Sequence, residues 1–266
     1  MKRIFLTGAS SGIGLAVARS LVARGDEVWG TSRDPARIPQ LPHLHGVELD
    51  LSDSNSIERA FNTAQAEAGF FDVVVNNAGS GYFGPTESLS PNALANQFQI
   101  LVFAHAQLMR LALPAMRARG SGLIINVTSL ASRLPVPFMA AYNAAKAAMA
   151  VLTMSIQLEL GDTDVHLVDL QPADICTDFN KAVIKFDHDK LYSAKVAQAW
   201  KIIERNLRQA PKPELVASYI VKLTEQKNPT PRATVGDFFQ GRIAPLIFRF
   251  LPQRLRIWGL KKYYGI

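Results

Sequence analysis

Thr7-Gly8-Ala9-Ser10-Ser11-Gly12-Ile13-Gly14 follows directly on a short apolar run, Arg3–Thr7, and opens into a stretch of helical period, Gly12–Arg24. Three glycines at such a junction let the backbone turn sharply, approach a pyrophosphate closely, and aim helix N-terminal N–H groups at its negative charge. The spacing, G-x3-G-x-G, is one residue longer than the G-x-G-x-x-G fingerprint, so the glycines alone are a weak signal. The strand before and the helix after give them weight; the bland alternative is a strand–helix turn without a ligand.

Outward from this turn, short β-branched or apolar runs alternate with longer helical stretches, the pattern of βαβ units around a parallel sheet. The spacing predicts strands at Arg3–Thr7, Glu27–Thr31, Gly46–Leu49, Phe71–Asn76, Leu123–Thr128 and Val165–Leu170. They are mostly continuous apolar runs, as strands covered on both faces require. Helices are predicted at Gly12–Arg24, Ser54–Ala68, Pro91–Arg119 and Ala140–Leu160. After residue 170 come amphipathic stretches at Ala194–Arg208 and Glu214–Gln226, a short strand near Arg232–Val235 and a basic tail. The fold expected is α/β, a single-domain Rossmann-type doubly wound sheet of about seven parallel strands flanked by helices. Residues 1–180 form its cofactor-binding and catalytic core, and 181–266 its substrate-covering loops, last strand and tail.

Composition narrows the classes. At 266 residues with 48% hydrophobic and 19% charged side chains, the chain has an ordinary globular make-up. Its one cysteine, Cys176, forms neither an internal disulfide nor a cysteine metal cluster, and reads as a small apolar residue. Histidines 43, 45, 105, 166 and 188 lack metal-ligand spacing. No apolar run reaches the roughly 18 residues of a spanning helix. Phe98–Met116 is interrupted by Gln99, His105, Gln107 and Arg110, and the basic start Met1-Lys2-Arg3 has no room for a signal-peptide core, so a cytoplasmic protein is expected. The net charge of +7 is uneven: residues 1–180 carry 12 basic and 16 acidic side chains, residues 181–266 carry 17 and 6. A uniformly basic nucleic-acid-binding body does not fit.

Three further groups fall in a telling order: Asn76-Asn77-Ala78-Gly79 ending the fourth strand, Ser129 ending the fifth, and Tyr142-x-x-x-Lys146 thirteen residues later. Tyr142 and Lys146 share a helix face. An ammonium beside a phenol lowers the phenol's pKa toward the range of general acid/base work, and Ser129 can donate to a carbonyl oxygen that gains charge as hydride arrives. With the glycine segment, these groups resemble the short-chain dehydrogenase/reductase family over residues 1 to about 180; the apolar side chains around the expected pocket mouth, Tyr82 and Phe83 among them, add a likeness to its hydroxysteroid and retinol dehydrogenase branches.

The resemblance implies that Tyr142 donates or removes the proton, Lys146 also holds the nicotinamide ribose, and Ser129 polarises the substrate. Gly8, Ser10, Ser11, Gly12, Ile13 and Gly14 would meet the cofactor, with Asp50 and Leu51, Asn77, Ala78 and Gly79, and Pro172, Ile175 and Thr177. Asp50 resembles the family's acceptor of the adenine amine; the alternative is a helix N-terminal acid or cap. Asn76 is expected to brace neighbouring strands. At the end of the second strand Thr31 and Ser32 are not acidic and Arg33 stands ready for a 2′-phosphate, which favours NADP; otherwise Arg33 pairs with Asp34 or Asp26 on the surface.

Two positions depart from the family pattern. Leu101 stands where an asparagine usually completes a tetrad, unless the register shifts to Asn96 or Gln99. Ala173 replaces a glycine over the nicotinamide and is strained if φ is positive there. Tyr82, Leu130, Phe138 and Phe179 are the expected substrate lining, with Phe83, Leu134, Pro135, Val136, Met139 and Phe186 nearby, and they suit an apolar ketone, aldehyde or alcohol. Three functions compete: an NADP-dependent oxidoreductase, an NADP(H)-binding protein with little turnover because of Leu101 and Ala173, and a nucleic-acid or membrane-surface module built on the basic third. The tail Gly241–Ile266 has six basic residues and no acid; it is read as packing on the core or across a dimer, with peripheral membrane contact as the alternative. A homodimer or homotetramer through Pro91–Arg119 and Ala140–Leu160 follows by resemblance.

Overall fold

The computed structural model describes residues 1–186 and 190–266; His188, one of the histidines considered for metal spacing, lies outside them. The chain runs β1 (Arg3–Leu6), α1 (Gly12–Ala23), β2 (Glu27–Ser32), β3 (Leu44–Glu48), α2 (Ser54–Ala68), β4 (Val73–Asn76), β5 (Gly81–Phe83), α3 (Pro91–Phe98), α4 (Ala104–Arg119) and β6 (Gly122–Val127). It continues through α5 (Ala140–Leu160), β7 (Val165–Pro172), α6 (Phe179–Ala182), β8 (Val183–Lys185), α7 (Lys190–Gln209), α8 (Glu214–Glu225), β9 (Arg232–Val235), α9 (Ala244–Phe250) and α10 (Gln253–Tyr264).

Seven parallel strands form one sheet in the order β3-β2-β1-β4-β6-β7-β9, so the seventh strand expected near Arg232–Val235 closes its edge. The strand order reverses between β1 and β4. A doubly wound sheet opens a crevice at that switch, at the carboxyl ends of the strands, and the chain places Thr7–Gly14 and Asn76–Gly79 there.

Alternation along each strand divides the core into two layers. Ile4 and Leu6 of β1 face α1 and α8 with Val17, Leu21, Val216 and Ile220. Phe5 points the other way, into Phe61, Phe71, Leu108 and Met116. Asp53 caps α2 by accepting from Asn55 N at 2.9 Å, and Ser90 caps α3 from Ala93 N at 3.1 Å with Pro91 in the first turn.

The segment Pro91–Arg119 is continuous helix, with a π-helical turn at Gln99–Phe103 between α3 and α4. Contrary to the sequence reading, its most apolar 18-residue window reaches a mean hydropathy of 1.2, enough by length and composition to cross a bilayer. Its Leu101, His105, Leu108, Met109, Ala112 and Met116 are buried, however, and the helix serves as a core element. The sequence also gave no sign of β5 pairing with β8 in a separate parallel ribbon, Gly81 opposite Val183 and Phe83 opposite Lys185. Strands of three residues show no periodicity, yet this one ties the loop after β4 to the loop after β7.

Candidate active site

The glycine turn is braced from three strands. Thr7 Oγ1 accepts from Asn77 N at 2.8 Å and Ala78 N at 2.9 Å, Asn77 Nδ2 donates to Thr7 O at 2.8 Å, and Ala9 N donates to Thr31 O at 2.8 Å. Gly8 has φ +75°, and a Cβ on Gly14 would stand 2.0 Å from Gly8 O. Both positions therefore require glycine. Ser11, the N-cap of α1, makes no side-chain cap and no acid occupies the first turn, so the first N–H groups of α1 are presented toward an anion. Thr177 lies beside this turn, its Cβ 3.6 Å from where a Gly12 Cβ would be. This cradle fits a dinucleotide pyrophosphate.

At the end of β2, Ser32 Oγ donates to Ser10 Oγ at 3.3 Å and Arg33 is exposed. The surface pairs considered for Arg33 are not made: Asp26 is bonded to Arg24, and Asp34 accepts from Ala36 N at 3.1 Å. Asp50 does not cap α2 either. Its Oδ1 accepts from Ser52 N at 2.9 Å and Ser52 Oγ at 2.7 Å, which lowers its pKa, with the Arg33 charge acting in the same direction. Leu51 and Ile175 are buried in the core layers, where packing takes up their side chains.

Ser129, Tyr142 and Lys146 converge at the end of β6. Ser129 Oγ accepts from Ala131 N at 3.1 Å and lies near enough to the Tyr142 phenol to act on its pKa. Lys146 is 4% exposed and donates to Val127 O at 2.7 Å, its Nζ 5.8 Å from the Tyr142 ring centroid. Burial pulls the Lys146 ammonium down to about 8, opposed by the Asp169 carboxylate. Tyr142 departs from expectation: although the residue as a whole is only half-buried, desolvation of the phenol pushes it up to about 12, against the lowering effect of Ser129. The lysine aims its amine at a backbone carbonyl, and burial decides the sign.

Asn76 braces the sheet as expected, donating from Nδ2 to Asn126 Oδ1 at 2.8 Å. Leu101 is fully buried, and a Cβ on Gly79 would lie 2.9 Å from Leu101 Cδ2 and 3.9 Å from Lys146 Nζ, so the leucine stands in the lysine's surroundings. The nearby amides are engaged elsewhere: Asn96 Nδ2 donates to Tyr82 Oη at 3.0 Å and Gln99 Nε2 to Leu51 O at 3.1 Å. One turn beyond, His105 is 2% exposed and burial, together with the Lys146 charge, drives its pKa down to about 3. Its Nε2 and Asn76 Oδ1 have no partner among the described residues. In the sequence His105 was legible only as an interruption of an apolar run.

Ala173 is not strained. Among the described residues only His43 and Phe138 combine a side chain with positive φ. Instead Gly236 makes room for it, since a Cβ there would meet Ala173 Cβ at 2.5 Å. Over the site, Phe179 packs on Tyr142 at 5.6 Å between ring centroids, Tyr82 stacks on Phe186 at 5.3 Å, and Phe138 meets Phe83 at 6.0 Å. Leu130, beside Ser129, is buried. The β5–β8 ribbon carries Tyr82 and Phe83 and ends beside Phe186.

A sequence profile described as short chain dehydrogenase matches residues 2–187. The chain belongs to the short-chain dehydrogenase/reductase family. The chain is 29% identical over 266 residues to a 3-ketodihydrosphingosine reductase of Bacteroides thetaiotaomicron, covering 99% of this chain and 98% of the relative. A short-chain dehydrogenase from Streptomyces avermitilis superposes with a TM-score of 0.82 at 29% identity, covering 93% of this chain and 91% of that one. A metagenomic short-chain oxidoreductase in complex with NADP does so with a TM-score of 0.71 at 28% identity, covering 88% and 96%. This short-chain dehydrogenase/reductase is therefore an oxidoreductase by family.

Proposed function

We propose that the protein is an NADP-dependent reductase of hydrophobic ketones or aldehydes, running reversibly to the alcohol, with Ser129, Tyr142 and Lys146 as its catalytic residues. The observation that carries the reading is the convergence of these three side chains at the end of β6, with the Tyr142 ring beneath Phe179 in an apolar cluster that includes Phe138, Met139 and Val183.

A nicotinamide dinucleotide, when bound, supplies the hydride. The residues of the chain do the rest. Gly8 to Gly14 and the first turn of α1 hold the pyrophosphate, and Arg33 meets the 2′-phosphate, in keeping with the NADP named for the metagenomic neighbour. Ser129 donates to the substrate oxygen. Tyr142, held near 12, is protonated at neutral pH and can deliver its proton to the developing alkoxide. Lys146 then lies close enough to help stabilise the phenolate. Phe179 and Phe138 exclude water and accept an apolar body, and the keto substrate in the Bacteroides relative's name agrees with that class. Exposed Phe103, Val151, Met154 and Leu158 on the long helices are a further apolar face on which two copies would associate.

The test is loss of reduced-nicotinamide absorbance with NADPH and NADH in parallel against apolar ketones and aldehydes. Turnover that prefers NADPH and disappears in Tyr142→Phe, with NADPH binding retained, supports the reading. NADPH binding without reduction across the panel, unchanged in Leu101→Asn, would count against it and favour a binding protein.

A further inference from the structure

The C-terminal segment does not end as a helix that merely covers the core. α10 has one apolar stripe turned inward: Leu260 and Tyr264, with Ile266, pack on α7 in the same cluster as Phe138, Tyr142 and Phe179. A second set of apolar side chains is left uncovered. Leu255 and Trp258 of α10, with Leu246, Ile247 and Phe250 of α9 and Phe239 before it, are exposed, Phe250 by 75% and Trp258 by 61%. The sequence-based reading of the tail as packing against the core therefore holds for only part of it.

These uncovered side chains stand among cations. Arg242, Arg249, Arg254, Lys261 and Lys262 are exposed, and from Gly241 to the end there is no acid. Asp237, just before, is engaged at the base by Gln240 N at 2.8 Å. The sixth cation, Arg256, works inside the fold, donating to Leu251 O at 2.6 Å and Arg249 O at 3.1 Å and so fixing α9 against α10. The two helices thus present their apolar and basic side chains as one held unit. That unit sits beside the site, because Gln240 Nε2 donates to Asp174 Oδ2 at 2.8 Å on the segment that follows β7.

We infer that Phe239–Ile266 seats the protein on an anionic lipid surface, with the exposed aromatic and aliphatic side chains entering the interfacial layer and the arginines and lysines meeting headgroup phosphates. Charge complementarity selects this occupant. A two-fold contact with a second copy would set each basic face against its own image, whereas lipid phosphates neutralise it. Large apolar side chains interspersed with Lys and Arg are the composition of interfacial segments. The placement would bring the apolar site close to the phase in which a hydrophobic carbonyl substrate dissolves.

The experiment is co-sedimentation of the full chain with vesicles of phosphatidylglycerol and phosphatidylcholine in equal parts, and with phosphatidylcholine alone, reading Trp258 emission alongside. Trp29 is buried and Trp200 bonds Glu204, so the exposed Trp258 should dominate any blue shift, and Trp258→Phe should abolish it. Binding is expected on anionic vesicles, weakening with salt, and dropping by about tenfold or more in the triple variant Arg242→Glu, Arg249→Glu, Arg254→Glu. A far-UV spectrum and a thermal midpoint matching the parent show that this variant is folded. Equal binding to phosphatidylcholine alone, binding unmoved by charge reversal, or a concentration-dependent dimer lost in Phe250→Asp with no vesicle binding overturns the inference. None of these readouts depends on turnover, so failure of the proposed reaction would be seen separately.

Discussion

Replacing Gly236 by alanine should destabilise the protein, and replacing Ala173 by glycine in the same chain should undo the damage. A Cβ at position 236 would stand 2.5 Å from Ala173 Cβ, with the next atoms at 3.6 and 3.7 Å. That is about an ångström or more inside the roughly 3.5–4.0 Å at which carbons rest. Sliding apart is opposed by Ala173 N donating to Val235 O at 2.8 Å and by the pairing of Pro172 with Val235. Overpacking of this kind costs about 1–3 kcal/mol, and each kcal/mol lowers the midpoint of a chain this size by roughly 2–4 °C. Gly236→Ala alone should therefore melt roughly 2–12 °C below the parent, while Ala173→Gly alone loses only about 0.5–1 kcal/mol through backbone entropy. Thermal and urea melts of the four proteins form a double-mutant cycle with a favourable coupling of about 1–3 kcal/mol. Additive effects would refute the account that Gly236 exists to admit the Ala173 methyl.

Other consequences are open to direct measurement. Arg33→Ala should raise the KM for NADPH by roughly tenfold or more and leave that for NADH nearly unchanged, since only the 2′-phosphate loses a partner; an equal change in both would remove Arg33 as the selector. Gly14→Ala, whose Cβ would meet Gly8 O at 2.0 Å, should yield protein that either fails to fold or no longer retains NADPH in equilibrium dialysis, and normal retention would contradict the geometry of the turn. His105, held at about 3 against an ordinary 6.5, stays neutral in the fold while the unfolded chain takes up a proton. The unfolded state binds more protons from pH 6.5 down to about 3, so stability falls with acid across that window, by about 2 kcal/mol at pH 5. Urea titrations between pH 7 and 5 should show this loss in the parent and much less of it in His105→Gln.

Wherever the chain writes its instructions in near neighbours, they could be read directly. The seven sheet strands, the capped helix at Ser54–Ala68, the glycine turn and the Tyr142-x-x-x-Lys146 pair all rest on period, spacing and turn chemistry within a few residues. They were enough to give the sheet, the crevice and the family. What packs from a distance was not readable. The β5–β8 ribbon joins segments about a hundred residues apart, and only it brings Tyr82 to Phe186. The upward shift of Tyr142, the orphaned His105 Nε2 beside the Lys146 charge, the Gly236 space for Ala173 and the uncovered second face of α10 each depend on which atoms surround a group after folding. Desolvation and steric fit are properties of a three-dimensional neighbourhood. The sequence determined which chemical groups are present and on which elements they ride; the tertiary structure decided which of them meet, and in what charge state.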